Sequence, residues 1–231
     1  MDTPSFVRQS SLFQNIGPQA LDTALALGIS RSVEENGFFF MQGDPATHAY
    51  ILLQGRVKML QVTPNGQQIT LRIMTPGQTY GGIALLQPSS GYPASAQSAE
   101  DSTALAWNTE TLRALAARDS GVSLNVMQIM HGYIIELQER QSALTSERVE
   151  QRVARTLLKL AAQTGKKVNE GVLIDLPLTR QDIAEMTGTT LFTVSRTLNI
   201  WERQGLLSIG RERVIIRDPH KLVSIADDLP R

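Results

Sequence analysis

The chain has 231 residues, 42% of them hydrophobic, with 22 Lys and Arg balanced by 22 Asp and Glu, and no cysteine. This length suits one large or two modest domains, and the lack of cysteine excludes disulfides, cysteine-ligated zinc and cysteine-held iron–sulfur clusters. No apolar run is long enough to span a bilayer, and MDTPSFVRQSS at the start lacks the basic-then-apolar order of a secretory leader, so a soluble, cytoplasmic protein with no membrane partner is expected.

Taken in order, residues 5–27 read as a short helical lead-in with Leu12, Phe13, Ile16, Leu21, Leu25 and Leu27 as apolar contacts. From Ser32 short apolar runs alternate with turn signals at Gly43-Asp44, Gly55, Asn65-Gly66, Pro76-Gly77 and Gly91, including a run from Thr79 to Pro93. Regular short strands punctuated by glycine predict a β-sandwich or barrel, with Asn65-Gly66 as a type I′ hairpin turn. After Thr109 the pattern turns helical. From about Gly121 to Ser146 the residues Met127, Met130, Ile134, Leu137, Gln141 and Leu144 recur at alternating spacings of three and four, a heptad seam that predicts a contact between two subunits. The alternative is a single helix packed on its own domain.

Residues 148–163 form another amphipathic helix, broken at Gly165 and the stretch 166–171. Val172 to Leu176 is a strand ended by Pro177. Next comes LTRQDIAEMTGTTLFTVSRTLNIWERQGLL, from Leu178 to Leu207. Thr179 caps a first helix with Asp182 three residues on, as in a capping box, and Ile183, Ala184 and Met186 form its apolar face. Gly188 supplies a turn at positive φ, and Thr190 caps a second helix. At about 100° per residue, Leu191, Val194, Leu198 and Trp201 share a buried stripe, while Phe192, Arg196, Asn199 and Arg203 face outward. This is helix-turn-helix grammar, which sets one helix in the major groove of double-stranded DNA.

The outward row carries the matching chemistry. Arg196 can donate two hydrogen bonds to guanine, Asn199 can pair with adenine or hold a phosphate, and Phe192 can lie against a thymine methyl. Thr179, Arg180, Gln181, Thr190, Thr193 and Ser195 complete the expected contact set. The LLSIGRERVIIRDP segment reads as a hairpin with Gly210-Arg211-Glu212 at its tip, a wing that presents Arg211 and Arg213 to phosphates; a short helical stretch follows in the tail. Charge agrees: residues 1–147 hold 8 basic and 12 acidic side chains, net −4, and residues 148–231 hold 14 and 10, net +4. Phosphate attraction thus has a local source in a neutral chain. No nucleophile–base pair, metal-ligand spacing or glycine-rich phosphate loop points to an enzyme.

The order β-roll, long helix, winged helix-turn-helix resembles the Crp/Fnr family of bacterial transcription regulators. The markers are LFQNIGPQALD, FFFMQGDPATHAYILLQGRVKM, ERVEQRVARTLLKLA and, most specific, the 178–207 stretch. The resemblance implies an α+β chain. Residues 1–118 would form a double-stranded β-helix (jelly-roll) sensing domain like those that bind cyclic nucleotides. Residues 119–147 would be a dimerisation helix and hinge, and residues 148–231 a winged helix-turn-helix. It further implies a homodimer on a palindromic operator, RNA polymerase as a partner, and an effector between the roll and the dimer helix, near Tyr80, Gly81, Gly82, Ile83, Pro93, Ala94, His131 and Ile135.

Members that bind cAMP hold it with a Phe/Tyr-Gly-Glu turn and a later Arg-Ser pair. Here the turn reads Tyr80-Gly81-Gly82, and Pro93-Ala94 stands for the pair. A buried cyclic phosphate without its arginine would leave a charge unpaired, at a cost of several kcal/mol, so an effector other than cAMP or cGMP is expected. Iron–sulfur members need cysteines that are absent here. Haem-based gas sensors of the family remain an alternative, with His131 as the candidate axial ligand or simply a partly exposed helix residue; His48 reads as structural and His220 as solvated. Many members also carry Glu, which accepts from cytosine, where this chain has Phe192, while Ser195-Arg196 keeps the family pattern. The effector-driven motion would pass through a hinge at Thr145-Ser146-Glu147.

Overall fold

The computed structural model describes residues 3–83 and 90–228. The chain divides into two compact units, residues 1–136 and 137–231, and the division passes through the interior of the longest helix. Residues 84–89 of the expected Thr79–Pro93 run lie outside the described residues.

In the first unit, helices α1 (Thr3–Gln9) and α2 (Pro18–Leu27) precede eight strands: β1 (Ile29–Val33), β2 (Phe38–Phe40), β3 (His48–Gln54), β4 (Val57–Val62), β5 (Gln68–Met74), β6 (Thr79–Tyr80), β7 (Ser95–Ser98) and β8 (Ser102–Asn108). They form two antiparallel four-stranded sheets, ordered β1-β8-β3-β6 and β2-β7-β4-β5. Helix α3 (Thr109–Arg118) follows, its first turn capped by Asn108, whose side chain accepts from the Thr111 amide. The 27-residue α4 runs from Ser120 to Ser146.

Alternation along the strands makes two cores from one sheet. On β3, Tyr50 and Leu52 point inward and join Phe40, Val57, Met74, Tyr80 and Tyr92. Ala49 and Ile51 point outward and pack with Leu105 and Trp107 beneath Leu12, Phe13, Leu21, Leu112, Leu115, Val122 and Val126. Trp107 anchors this second layer: its ring meets Phe13 edge-on at 5.0 Å, and its Nε1–H donates to the Ala24 carbonyl at 2.7 Å. Leu12, Phe13 and Leu21 are buried as expected, but Leu27 is 48% exposed, because α2 ends there and the chain turns away into β1. The β4–β5 hairpin also departs from expectation. Only Gly66 has positive φ, +80°. Type I′ needs two such residues, so the connection is instead a five-residue loop in which Gly66 N–H donates to Thr63 O and Thr63 N–H to Gln67 O.

The second unit holds the end of α4, then α5 (Val149–Thr164), β9 (Gly165–Val168), β10 (Gly171–Ile174), α6 (Arg180–Thr187), α7 (Leu191–Arg203), β11 (Leu207–Gly210), β12 (Arg213–Ile216) and α8 (Pro219–Ala226). Helix α5 buries Val153, Ala154, Leu157 and Leu160. The sheet order is β11-β12-β10-β9. Residues 165–168, expected as a break, form an edge strand paired with β10, Val172 opposite Lys167. Gly165 permits it, since a Cβ there would stand 2.2 Å from the Ala161 carbonyl. Helix α4 ends at Ser146 and α5 begins at Val149, so the expected hinge at 145–147 coincides with the end of α4; there the Thr145 and Ser146 hydroxyls both donate to the Ser142 carbonyl at 2.8 Å.

Candidate nucleic-acid interface

Local chemistry builds the 179–203 hairpin. Thr179 Oγ1 accepts from the Asp182 amide at 3.0 Å, while Asp182 Oδ2 accepts from the Thr179 amide at 3.0 Å and its hydroxyl at 2.7 Å, so both members of the capping box are engaged. Helix α6 ends at Gly188, left-handed at φ 62° and ψ 42°, whose N–H donates to Ala184 O. Thr190 Oγ1 then accepts from the Thr193 amide at 3.2 Å and opens α7.

The remainder of the unit fixes this hairpin from behind. Arg140 donates to the Glu185 carbonyl at 2.9 Å, and Arg152 Nε donates to the Thr187 carbonyl at 2.9 Å. On α7 the buried face is Val194, Thr197, Leu198 and Trp201. Leu191, expected in that stripe, is 48% exposed; it is the first helical residue, with no preceding turn to cover it. Thr197 takes a buried place that the apolar count passed over.

On the outward face Phe192 is 76% exposed, and Arg196, Asn199, Gln181 and Thr190 are also exposed, with Thr179, Arg180, Thr193 and Ser195 half-buried. Arg180, at the start of α6, donates to Asn199 Oδ1 across the two helices at 3.0 Å. Gln181 instead bonds Glu185 along its own helix at 2.9 Å. Arg211 and Arg213 are exposed at the wing, whose two-residue tip is Arg211-Glu212, with Glu212 at φ 53°. The Ile209 amide donates to Glu202 Oε1 at 2.9 Å, which pins the wing to α7.

The residues expected around an effector fall into two groups. Tyr80, Gly81, Gly82 and Ile83 are continuous with the inner core of the roll. Tyr80 stacks on Tyr50 at 5.2 Å, Phe40 stacks on Tyr92 at 3.7 Å, and Tyr92 Oη donates to the His48 carbonyl at 2.8 Å and accepts from its amide at 3.0 Å. Burial raises the Tyr50 phenol to about 12 and raises Tyr80 and Tyr92 as well. Among the described residues the hydroxyls of Thr79 and Tyr80 have no hydrogen-bond partner. Gly81 sits at φ +73°, where a Cβ would come 2.9 Å from His48 O, whereas a Cβ on Gly82 meets nothing within 4 Å. Ala94 is buried and Pro93 exposed.

His131 and Ile135 stand exposed on α4. The helix residues that reach the roll are others: Tyr133 donates to the Thr79 carbonyl at 3.1 Å, Arg72 lies over the Tyr133 ring at 4.1 Å, and Arg72 also pairs with Glu136. Of the heptad residues, Met127, Ile134, Leu137, Gln141 and Leu144 are exposed, and Met130 is half-buried against the Trp107 core. Among the described residues no three His, Asp or Glu side chains gather as a metal site, and no helix is long and apolar enough to cross a membrane.

Residues 151–225 match the Crp-like helix-turn-helix domain and residues 30–119 the cyclic nucleotide-binding domain. The Thermus thermophilus catabolite activator protein is 30% identical, with 96% of this chain and 100% of that one covered and a TM-score of 0.54. The chain belongs to the Crp/Fnr family. The cyclic AMP receptor protein of Thermus thermophilus is 29% identical over 220 residues, 95% of this chain and 98% of the relative. FixK2 from Bradyrhizobium japonicum shares the fold at a TM-score of 0.75 and 22% identity, over 86% of this chain and 96% of that one.

This Crp/Fnr member is therefore a DNA-binding transcriptional regulator, with α6 and α7 as its helix-turn-helix, a cyclic nucleotide-binding-like sandwich at its N-terminal end, and regulators rather than enzymes among its relatives. Sequence reasoning missed Leu191 at the tip of α7 and Tyr133 and Arg72 behind the Tyr80 turn. For Leu191 a signal was available: it directly follows the cap, where burial begins only a turn later. Tyr133 and Arg72 are 61 residues apart, and nothing local joins them.

Proposed function

We propose that this chain works as a homodimer that reads a palindromic operator through α7 and is controlled by a small effector other than a cyclic nucleotide. The observation that carries the reading is the outward face of α7, where Phe192 and Arg196 stand exposed beside the Arg180–Asn199 pair. In this role Arg196 reads guanine, Phe192 replaces a cytosine contact with a thymine methyl, and Thr179, Gln181, Thr190, Thr193, Ser195, Arg211 and Arg213 line the backbone. Asn199 acts on Arg180 rather than on a base.

Dimerisation is supported by the row of apolar side chains that α4 leaves exposed at heptad spacing, with Met127 58% and Leu137 60% exposed, since grouped exposed apolar side chains mark interaction sites. The name of the 29% relative points to cAMP, but the residues here point elsewhere: Gly82 offers no carboxylate to a ribose, and Pro93-Ala94 offers no cation to a phosphate. The effector would meet the Tyr80 turn, where the buried Thr79 and Tyr80 hydroxyls have no hydrogen-bond partner among the described residues, and Tyr133 would pass its arrival to α4. That helix is continuous into the DNA-binding unit, so a change in its course sets the spacing of two recognition helices, which must be about 34 Å apart to meet successive major grooves. A haem sensor would depend on His131, which lies about 200° around α4 from Tyr133, away from the side chain that reaches the roll. RNA polymerase and a cytoplasmic setting follow from the regulatory role.

Selection of binding sites from random DNA, combined with sedimentation of the protein–DNA complex, tests the reading. A palindromic site bound by two chains, with selectivity at its guanine relaxed by Arg196→Ala, supports it; binding without sequence preference, or by one chain, overturns it.

A further inference from the structure

Two apolar side chains begin the recognition helix, and the fold leaves both uncovered. Phe192 is the most exposed large apolar residue described, and Leu191 beside it is half exposed. Polar groups flank this tip: the Thr190 and Thr193 hydroxyls bond each other at 2.9 Å, and Arg196 stands one turn on, exposed. The tip therefore continues the DNA-facing surface of α7, and the partner facing it there is the floor of a major groove.

That floor is polar except at one group. Guanine shows N7 and O6, adenine N7 and N6, cytosine N4 and thymine O4; the only exposed carbon substituent is the thymine C5-methyl. A Leu or Phe side chain over cytosine N4 or guanine O6 would strip water from a polar atom and give nothing back. Over a methyl it buries apolar surface on both sides. Successive helical residues point about 100° apart, so at the tip of α7 the Leu191 and Phe192 side chains diverge, and each can meet a different one of two adjacent base pairs, which rise about 3.4 Å.

We propose that Leu191 and Phe192 form a paired methyl reader, which makes this regulator selective for two adjacent base pairs with C5-methylated pyrimidines and therefore responsive to cytosine methylation at those positions. The inference rests on the DNA-reading role of α7 given above and adds Leu191, a second contacted base pair and a chemical criterion, the methyl group itself.

The test uses the full chain and the operator selected from random DNA, with affinity read by fluorescence anisotropy. Replacing each thymine by deoxyuridine removes only the methyl. At two adjacent positions per half-site affinity falls about four-fold each, the equivalent of one buried methyl group. Replacing the same thymine–adenine pair by 5-methylcytosine–guanine binds about four-fold better than unmethylated cytosine–guanine. In Leu191→Ala one of the two positions stops responding to the methyl, and in Phe192→Ala the other does. If Arg196→Ala relaxes selectivity at the guanine while deoxyuridine is neutral everywhere, the methyl reader is wrong and the DNA-reading role stands; an apolar protein partner for the tip is then the remaining reading. If no site is selected at all, the DNA-reading role itself fails.

Discussion

Leu144 lies against Gly188: a Cβ built on the glycine would stand 2.6 Å from Leu144 Cδ2. The last turns of the long helix thus rest on the turn between the two DNA-binding helices. Arg140, one helical turn earlier, holds the same hairpin through the Glu185 carbonyl. Gly188→Ala is expected to destabilise the protein by about 1–2 kcal/mol, because φ 62° is left-handed and unfavourable for any side chain. Urea melts of Gly188→Ala, Leu144→Ala and the double variant separate the causes. Leu144→Ala should recover only the steric part, leaving the backbone cost in place.

Arg180 and Asn199 should act on DNA as one unit. Because Asn199 accepts from Arg180 at 3.0 Å, the losses in affinity for Arg180→Ala and Asn199→Ala are expected to be less than additive. If the pair serves a phosphate, Arg180→Ala also lowers the slope of log affinity against log salt by about 0.9. Anisotropy titrations over a range of salt concentrations measure both quantities.

Arg196→Ala should cost about 1–3 kcal/mol at a single guanine and relax selectivity there. Phe192→Glu should move the preferred base at the neighbouring position towards cytosine, since a carboxylate accepts from its N4 amine. Parallel selections from random DNA with the wild-type and the two variants report each shift.

Isothermal titration of the wild-type with cAMP is expected to show no micromolar site. Gly82→Glu should fold normally, because the Cβ enters open space, and should remain without such a site, since the exposed Pro93 supplies no cation for the phosphate. A micromolar cAMP site in the wild-type would refute the assignment of a different effector.

Stability should fall as pH rises above 10. The phenols of Tyr50, Tyr80 and Tyr92 are held neutral in the fold, Tyr50 up to about 12, first by burial, while in the unfolded chain they ionise near 10. The native state then binds more protons than the unfolded one, so unfolding free energy declines with pH across that window. Urea melts between pH 9 and about 12, followed by phenolate absorbance, check this; Tyr50→Phe should flatten the decline.

Much of this protein was written in local patterns. The Thr179–Asp182 box, Gly188 and the Thr190 cap each act within four residues, so their spacing alone fixes the helix-turn-helix, and the period of α7 separates Val194, Leu198 and Trp201 from Phe192, Arg196 and Asn199. Alternation with glycine turns was enough for a β-sandwich, though the Asn65-Gly66 turn took another form because strand pairing, not the dipeptide, set the loop length. What only the tertiary structure decided were relations between distant positions. It placed Leu191 in solvent, joined Arg180 to Asn199, laid Leu144 on Gly188, and gave Tyr133 and Arg72, rather than His131 and Ile135, the contacts behind the Tyr80 turn. The physical reason is that caps and periodicity depend on neighbours along the chain. Which face of a helix is covered, and which side chain reaches a strand sixty residues away, depends on packing that has no local signature.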